Sequence, residues 1–112
     1  SVDEISRIKK ETGCGFCLDI AHALCFAAWA KQPWEDVIGK FLELGPDMFH
    51  LCDGDVNTIF DDHWHLGEGN YELKKILSMI PDGSFLSIES RKNSKENLND
   101  FKKDVNYLRK CF

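Results

Sequence analysis

The chain has no hydrophobic run of the roughly 20 residues that a membrane helix needs. Its longest, Ala23 to Ala30, stops well short, so membrane insertion is not expected. Nothing at its beginning has the pattern of a secretory leader, and a cytoplasmic setting is the expectation. Positive charge is also scarce. Lys and Arg number 14 against 19 Asp and Glu, a formal net charge of −5, which argues against a broad nucleic-acid-binding surface. The basic stretches Arg91-Lys92 and Lys102-Lys103 read as solvated faces. No low-complexity linker divides the chain, and 112 residues suit a single domain over 1–112. A disulfide framework is missing too. The five cysteines are odd in number, and three lie in or beside apolar runs, as reduced thiols do. Cys14-Gly-Phe-Cys17 has CxxC spacing but no second CxxC to pair with. It falls where a strand begins, which sends its two side chains to opposite faces. Buried or inert thiols are expected there, rather than redox or zinc chemistry.

What is present is the composition of a globular protein, 43% hydrophobic and 29% charged, with alternating helix and strand signals. Residues 2–12 have helical periodicity through Val2, Ile5 and Ile8, with Gly13 as a stop. Residues 15–20 form a short apolar run ending in Asp19-Ile20, the pattern of a strand buried on both faces. Ala21 to Ala30 is small and apolar, a helical turn or short helix. Pro33 suits the first turn of a helix over 34–44, which Gly45-Pro46 ends. A second strand covers 47–52 and a third covers 84–89. A helix starting at Asn70 or Tyr71 lies between them, with Leu73, Ile76, Leu77 and Ile80 on one face, and Pro81-Asp-Gly83 makes a turn. A last helix over 95–110 carries Leu98, Phe101, Val105 and Leu108. The order α-β-α-β-α-β-α implies βαβ units and a parallel sheet.

Between the second strand and the following helix runs His50-Leu-Cys-Asp-Gly-Asp-Val-Asn-Thr-Ile-Phe-Asp-Asp-His-Trp-His-Leu-Gly-Glu-Gly69. Three of the four histidines lie here, with four aspartates and a glutamate. A polar loop of this length inside an α/β unit is usually functional or disordered. Right-handed crossovers place the C-terminal ends of parallel strands on one rim, where ligands gather in such folds. Asp19, His50 and Glu89 each end a different strand, so they converge. Together they suit a divalent cation such as Zn²⁺, Mn²⁺ or Mg²⁺; cysteine in the set would point more firmly to zinc. His22 is within reach of the same cavity. Asp61 and His63, a D-x-H pair, suit a second metal or a substrate hydroxyl. Each residue also has a plainer use. Asp19 or Glu89 can cap the next helix, and His50 alone can be a satisfied core histidine. Asp62 and His65 read as solvated loop residues. Gly67-Glu-Gly69 reads as a turn or phosphate-contacting loop.

Four segments in order resemble the C-terminal part of the xylose isomerase-like TIM barrels: residues 15–23, 49–53, 61–69 and 86–89. That superfamily holds sugar (phosphate) isomerases/epimerases and endonuclease IV-type AP endonucleases. The resemblance implies a partial (β/α) barrel of about three parallel strands, matching strands six to eight. It implies that Asp19, His50 and Glu89 are shared metal ligands and that Glu89 takes part in proton transfer. His22 is then a substrate contact in the isomerases or a further zinc ligand in the endonucleases, where Asp61 and His63 complete a third zinc site. The family site also draws a glutamate from an earlier strand, which these residues do not contain. Leu51-Cys-Asp-Gly-Asp stands where the endonucleases carry Asn-Asp-Ser-Lys after the histidine.

Three functions follow. The first is a metal-dependent sugar or sugar-phosphate isomerase/epimerase, incomplete in these residues. The second is a zinc phosphodiesterase acting at abasic DNA. The third is a non-catalytic metal-binding or assembly module. An open three-stranded sheet leaves edges and apolar faces uncovered, so an oligomer or a piece of a longer chain is expected.

Overall fold

Three short apolar runs meet side by side. Cys17–Asp19 (β1), Met48–Leu51 (β2) and Phe85–Ile88 (β3) form one sheet in the order β1-β2-β3, and both pairings are parallel. The computed structural model describes residues 1–112. Helices lead into and out of each strand: α1 (Val2–Thr12), α2 (Ile20–Ala30), α3 (Trp34–Leu42), α4 (Leu73–Met79) and α5 (Asn99–Lys110). This is a partial α/β barrel. No helix is long and apolar enough to cross a membrane.

The register decides what each strand residue faces. Leu18 aligns with Phe49, and Phe49 with Leu86. Leu18 and Phe49 are buried with Ile20, Leu24, Ile38 and Ile76 in one apolar cluster. Side chains alternate between faces, so the neighbouring rows share the opposite one. Those rows are Cys17-Met48-Phe85 and Asp19-His50-Ser87. No helix seals this second face: Phe85 is 75% exposed, Cys17 is exposed and Met48 is half-buried. The polar row Asp19-His50 lies at the C-terminal end of the sheet, one step above the apolar row.

Where the elements differ from expectation, local contacts explain it. Of the two expectations for Ala21–Ala30, a turn or a short helix, the helix is found: it belongs to the 11-residue α2, whose buried residues include Ile20, Ala21, Ala23, Leu24 and Ala27. Alanine has the best helix propensity and lets helix and sheet approach closely. α4 begins at Leu73 rather than Asn70 or Tyr71, because those residues are bonded into the loop. The Tyr71 amide donates to Asp53 Oδ1 at 3.2 Å, and Asn70 Oδ1 accepts from the Val56 amide at 2.7 Å. α5 begins at Asn99, not at 95; local bonds hold the preceding stretch in a loop, with the Asn93 amide donating to Asp100 Oδ2 at 2.7 Å. Cys14 and Cys17 are free and exposed, which corrects the buried expectation. Cys14 precedes the strand and Cys17 lies on its uncovered face. Partial desolvation nevertheless raises the Cys17 thiol pKa, and the charges of Asp19 and Glu89 add to the effect.

Candidate metal centre

The long loop after β2 is folded back on itself. The Asp53 amide donates to Trp64 O at 2.9 Å and the Trp64 amide to Asp53 O at 3.0 Å, an antiparallel bridge that closes residues 53–64 into one loop. Asp53, buried, supports its base. Its Oδ1 accepts from the Gly54 and Tyr71 amides at 2.8 and 3.2 Å, and its Oδ2 from the Gly67 amide at 2.9 Å. Gly67, at φ 90°, makes the turn in which the Glu68 amide donates to His65 O at 3.0 Å. Gly67-Glu-Gly69 is therefore a structural turn.

Asp19, His50 and Glu89 come together as the parallel topology requires. One ligand atom from each lies within 4.8 Å of the others, and all three residues are half-buried. His50 Nδ1 lies 3.1 Å from Glu89 Oε1. β2 and β3 remain paired just beyond their formal ends, since the Glu89 amide donates to Leu51 O at 2.9 Å. Asp19 serves two purposes. Its Oδ1 caps α2 by accepting from the His22 amide at 3.1 Å, while its Oδ2 lies 3.3 Å from His22 Nδ1. The capping use anticipated for a strand-end carboxylate is thus present, and it leaves the second oxygen directed at the site.

A second group adjoins the first. The Asp61 Oδ2 atom is buried without a hydrogen-bond partner, yet His22 Nε2 lies 3.1 Å from it and His63 Nε2 lies 3.3 Å from it. His63 Nδ1 is 2.8 Å from the Glu89 carbonyl oxygen. A carbonyl only accepts, so Nδ1 carries a proton, and Nε2 is the ring nitrogen turned toward Asp61. Two imidazole nitrogens thus meet one buried carboxylate oxygen, a donor set that suits a cation. His63 also adopts φ 52°, in the left-handed region. Such backbone cost is borne where surrounding contacts fix the residue. Here the Arg91 amide donates to His63 O at 2.7 Å.

His65 departs from the sequence expectation, and Cys52 is the free thiol beside an apolar run that was expected. His65 is not solvated; it is buried and its Nδ1 lies 2.7 Å from Asp104 Oδ2 on α5. That bond holds its imidazole pKa above the ordinary value despite burial. Asp104 also accepts from the Leu66 amide at 2.8 Å and from the Ser90 hydroxyl. This is a brace between loop and helix. Asp62 is half-buried. Cys52 lies immediately beyond β2, buried, with Sγ 3.7 Å from Asp61 Oδ1. Burial pushes its thiol pKa far up. Sequence reasoning missed Asp53, Cys52 and Asp104; the alternation of faces along β2 was the one signal that placed Cys52 on the same side as His50.

A profile of the xylose isomerase-like TIM barrel matches residues 1–111. The chain belongs to the xylose isomerase-like TIM barrel family. No curated protein and no solved structure gives a significant match. Family membership gives the uncovered sheet face its meaning. In a closed barrel of this class, eight strands surround an interior packed with side chains, and the active site sits at the C-terminal rim. Cys17, Met48 and Phe85 lie on the face that such an interior would cover, and Asp19, His50 and Glu89 lie at the C-terminal ends of the strands. The chain supplies three such strands.

Proposed function

We propose that these residues form the metal-holding C-terminal part of a sugar or sugar-phosphate isomerase/epimerase. Asp19, His50 and Glu89 would hold a divalent cation, Mn²⁺, Mg²⁺ or Zn²⁺. The observation that carries this reading is their convergence to within 4.8 Å from three different strand ends. A bound cation of this kind would hold adjacent substrate oxygens and polarise a carbonyl. The protein's own groups do the rest. Glu89 moves a proton at the carbon beside that carbonyl, together with a carboxylate from strands outside these residues. His50, 3.1 Å away, orients the Glu89 carboxylate. His22, whose side chain is 67% exposed at the rim, contacts a substrate hydroxyl. The remaining strands come from further polypeptide or a partner chain. A cytoplasmic location goes with the reduced thiols.

A second reading is a zinc phosphodiesterase acting on abasic DNA. It is favoured by the adjoining Asp61, His63 and His22 group, which suits additional zinc. It is disfavoured by the net charge of −5 and by the residues after His50: Cys52 and Asp53 are buried rather than presented to a substrate. The test is solvent-deuterium exchange into a panel of aldose and ketose phosphates with Mn²⁺, run beside nicking of an abasic oligonucleotide with Zn²⁺. The chain is assayed with its completing polypeptide. Metal-dependent exchange lost in Glu89→Gln supports the isomerase. Nicking without exchange supports the phosphodiesterase. Neither activity, in a metal-loaded sample, leaves only a binding or assembly module.

A further inference from the structure

We propose that Cys52 joins Asp61 and His63 in a thiolate-containing site that selects zinc over magnesium and manganese. This rests on the Asp61, His63 and His22 group that the second reading above takes to suit additional zinc, and it does not depend on the isomerase reading. The thiol, carboxylate and imidazole each offer one atom, and the three atoms lie within 4.8 Å of one another.

The fold builds this cluster from two directions. Cys52 follows β2 two residues after His50 and is buried beneath the returning loop. The Asp53–Trp64 bridge turns the chain so that Asp61 and His63 come back over it. Cys52 Sγ is 3.7 Å from Asp61 Oδ1, and His63 Nε2 is 3.3 Å from Asp61 Oδ2. His63 is preset as a ligand because its Nδ1 proton is held by the Glu89 carbonyl at 2.8 Å. Asp61 Oδ2 is buried with no well-aligned hydrogen bond, and the imidazole nitrogens of His22 and His63 lie 3.1 and 3.3 Å from it.

Sulfur is what gives the site its preference. Magnesium and manganese favour oxygen donors, whereas thiolate and imidazole suit zinc. Three protein ligands and one open position are a usual zinc arrangement. On binding, the Cys52 S–H bond breaks, its proton goes to solvent and the sulfur lone pair forms the metal bond. His63 keeps its Nδ1 proton. The plainer alternative is a core thiol that donates a weak hydrogen bond to Asp61, with no part in metal binding.

Cobalt separates these, because Co²⁺ takes zinc's ligands and a cobalt–thiolate bond gives a near-ultraviolet charge-transfer band. The full chain is titrated with Co²⁺ and then competed with Zn²⁺. The expected result is that band in the wild type, its retention when exposed Cys14 and Cys17 are both changed to serine, and its loss in Cys52→Ser. Zinc affinity at this site should fall by about tenfold or more in Cys52→Ser. Circular dichroism checks the fold, and a protein in which Cys14, Cys17, Cys25 and Cys111 are all replaced, leaving Cys52 as the one thiol, decides the matter if Cys52→Ser unfolds: the band kept there supports the site and its loss overturns it. Co²⁺ bound with visible ligand-field bands but no charge-transfer band overturns the thiolate site and leaves the metal reading standing. Loss of the band with Cys14 and Cys17 also overturns it. No Co²⁺ binding at all overturns both.

Discussion

Asp53 and Asp19 carry the same side chain to different ends. Asp53 is 1% exposed and spends both oxygens on three backbone amides. Asp19 uses one oxygen on a helix cap and keeps the other at the rim. Asp53→Ala should therefore destabilise the protein by about 3 kcal/mol, since each orphaned buried donor costs on the order of 1–3 kcal/mol. Urea unfolding measures it, and Asp53→Ala should also weaken metal binding by loosening residues 61–63. Asp104→Ala should cost a similar amount, about 3 kcal/mol, by leaving His65 and the Leu66 amide without their acceptor. Equilibrium unfolding that is unchanged in either variant would contradict these roles. The rim residues were legible in the sequence, because Asp19, His50 and Glu89 each end an apolar run and parallel topology forces such ends together. His65, Asp104 and Cys52 were not. Their meetings depend on a loop bridge and on a helix 38 residues away from Leu66 in the chain, which no local pattern encodes.

At the scale of elements, the three strands and five helices follow from periodicity and breakers. Their edges do not, because side-chain bonds such as Asp53 to the Tyr71 amide and Asp100 to the Asn93 amide hold the stretches before α4 and α5 in loops. Glycines test this directly. A Cβ on Gly69 would overlap the Gly54 carbonyl oxygen and Asp53 Oδ1. Gly69→Ala should cost about 2–3 kcal/mol. Gly39, within α3, has nothing within 4 Å of an added Cβ, so Gly39→Ala should stabilise by about 0.5–1 kcal/mol. Thermal unfolding of the pair should move in opposite directions. Helix α1 has no buried residue, whereas α2 has six. α1 is tied to its surroundings by Lys9 Nζ, which donates to Leu44 O at 2.7 Å and Gly45 O at 3.1 Å. Hydrogen exchange should therefore be fast in α1 and slow in α2; equal protection would mean that α1 is packed against something more.

For the whole molecule, the decisive feature is a sheet covered on one side only. The row Cys17-Met48-Phe85 is apolar, yet no helix covers it and Phe85 is 75% exposed. Water against that row is costly, at roughly 25 cal/mol per Å² of apolar surface. The chain alone should associate in light scattering, and Phe85→Asp should shift it toward monomer; a wild-type monomer at high concentration would show that the face tolerates solvent. The same incompleteness separates metal binding from turnover. Three ligands at the rim suffice to bind a cation, whereas the proposed proton transfer calls on a further carboxylate as well. The central claim is therefore the metal itself, and anomalous diffraction from crystals grown with Mn²⁺ tests it most directly. The account predicts a peak bonded to Asp19, His50 and Glu89 that disappears in His50→Ala; a fully ordered rim without that peak would contradict it.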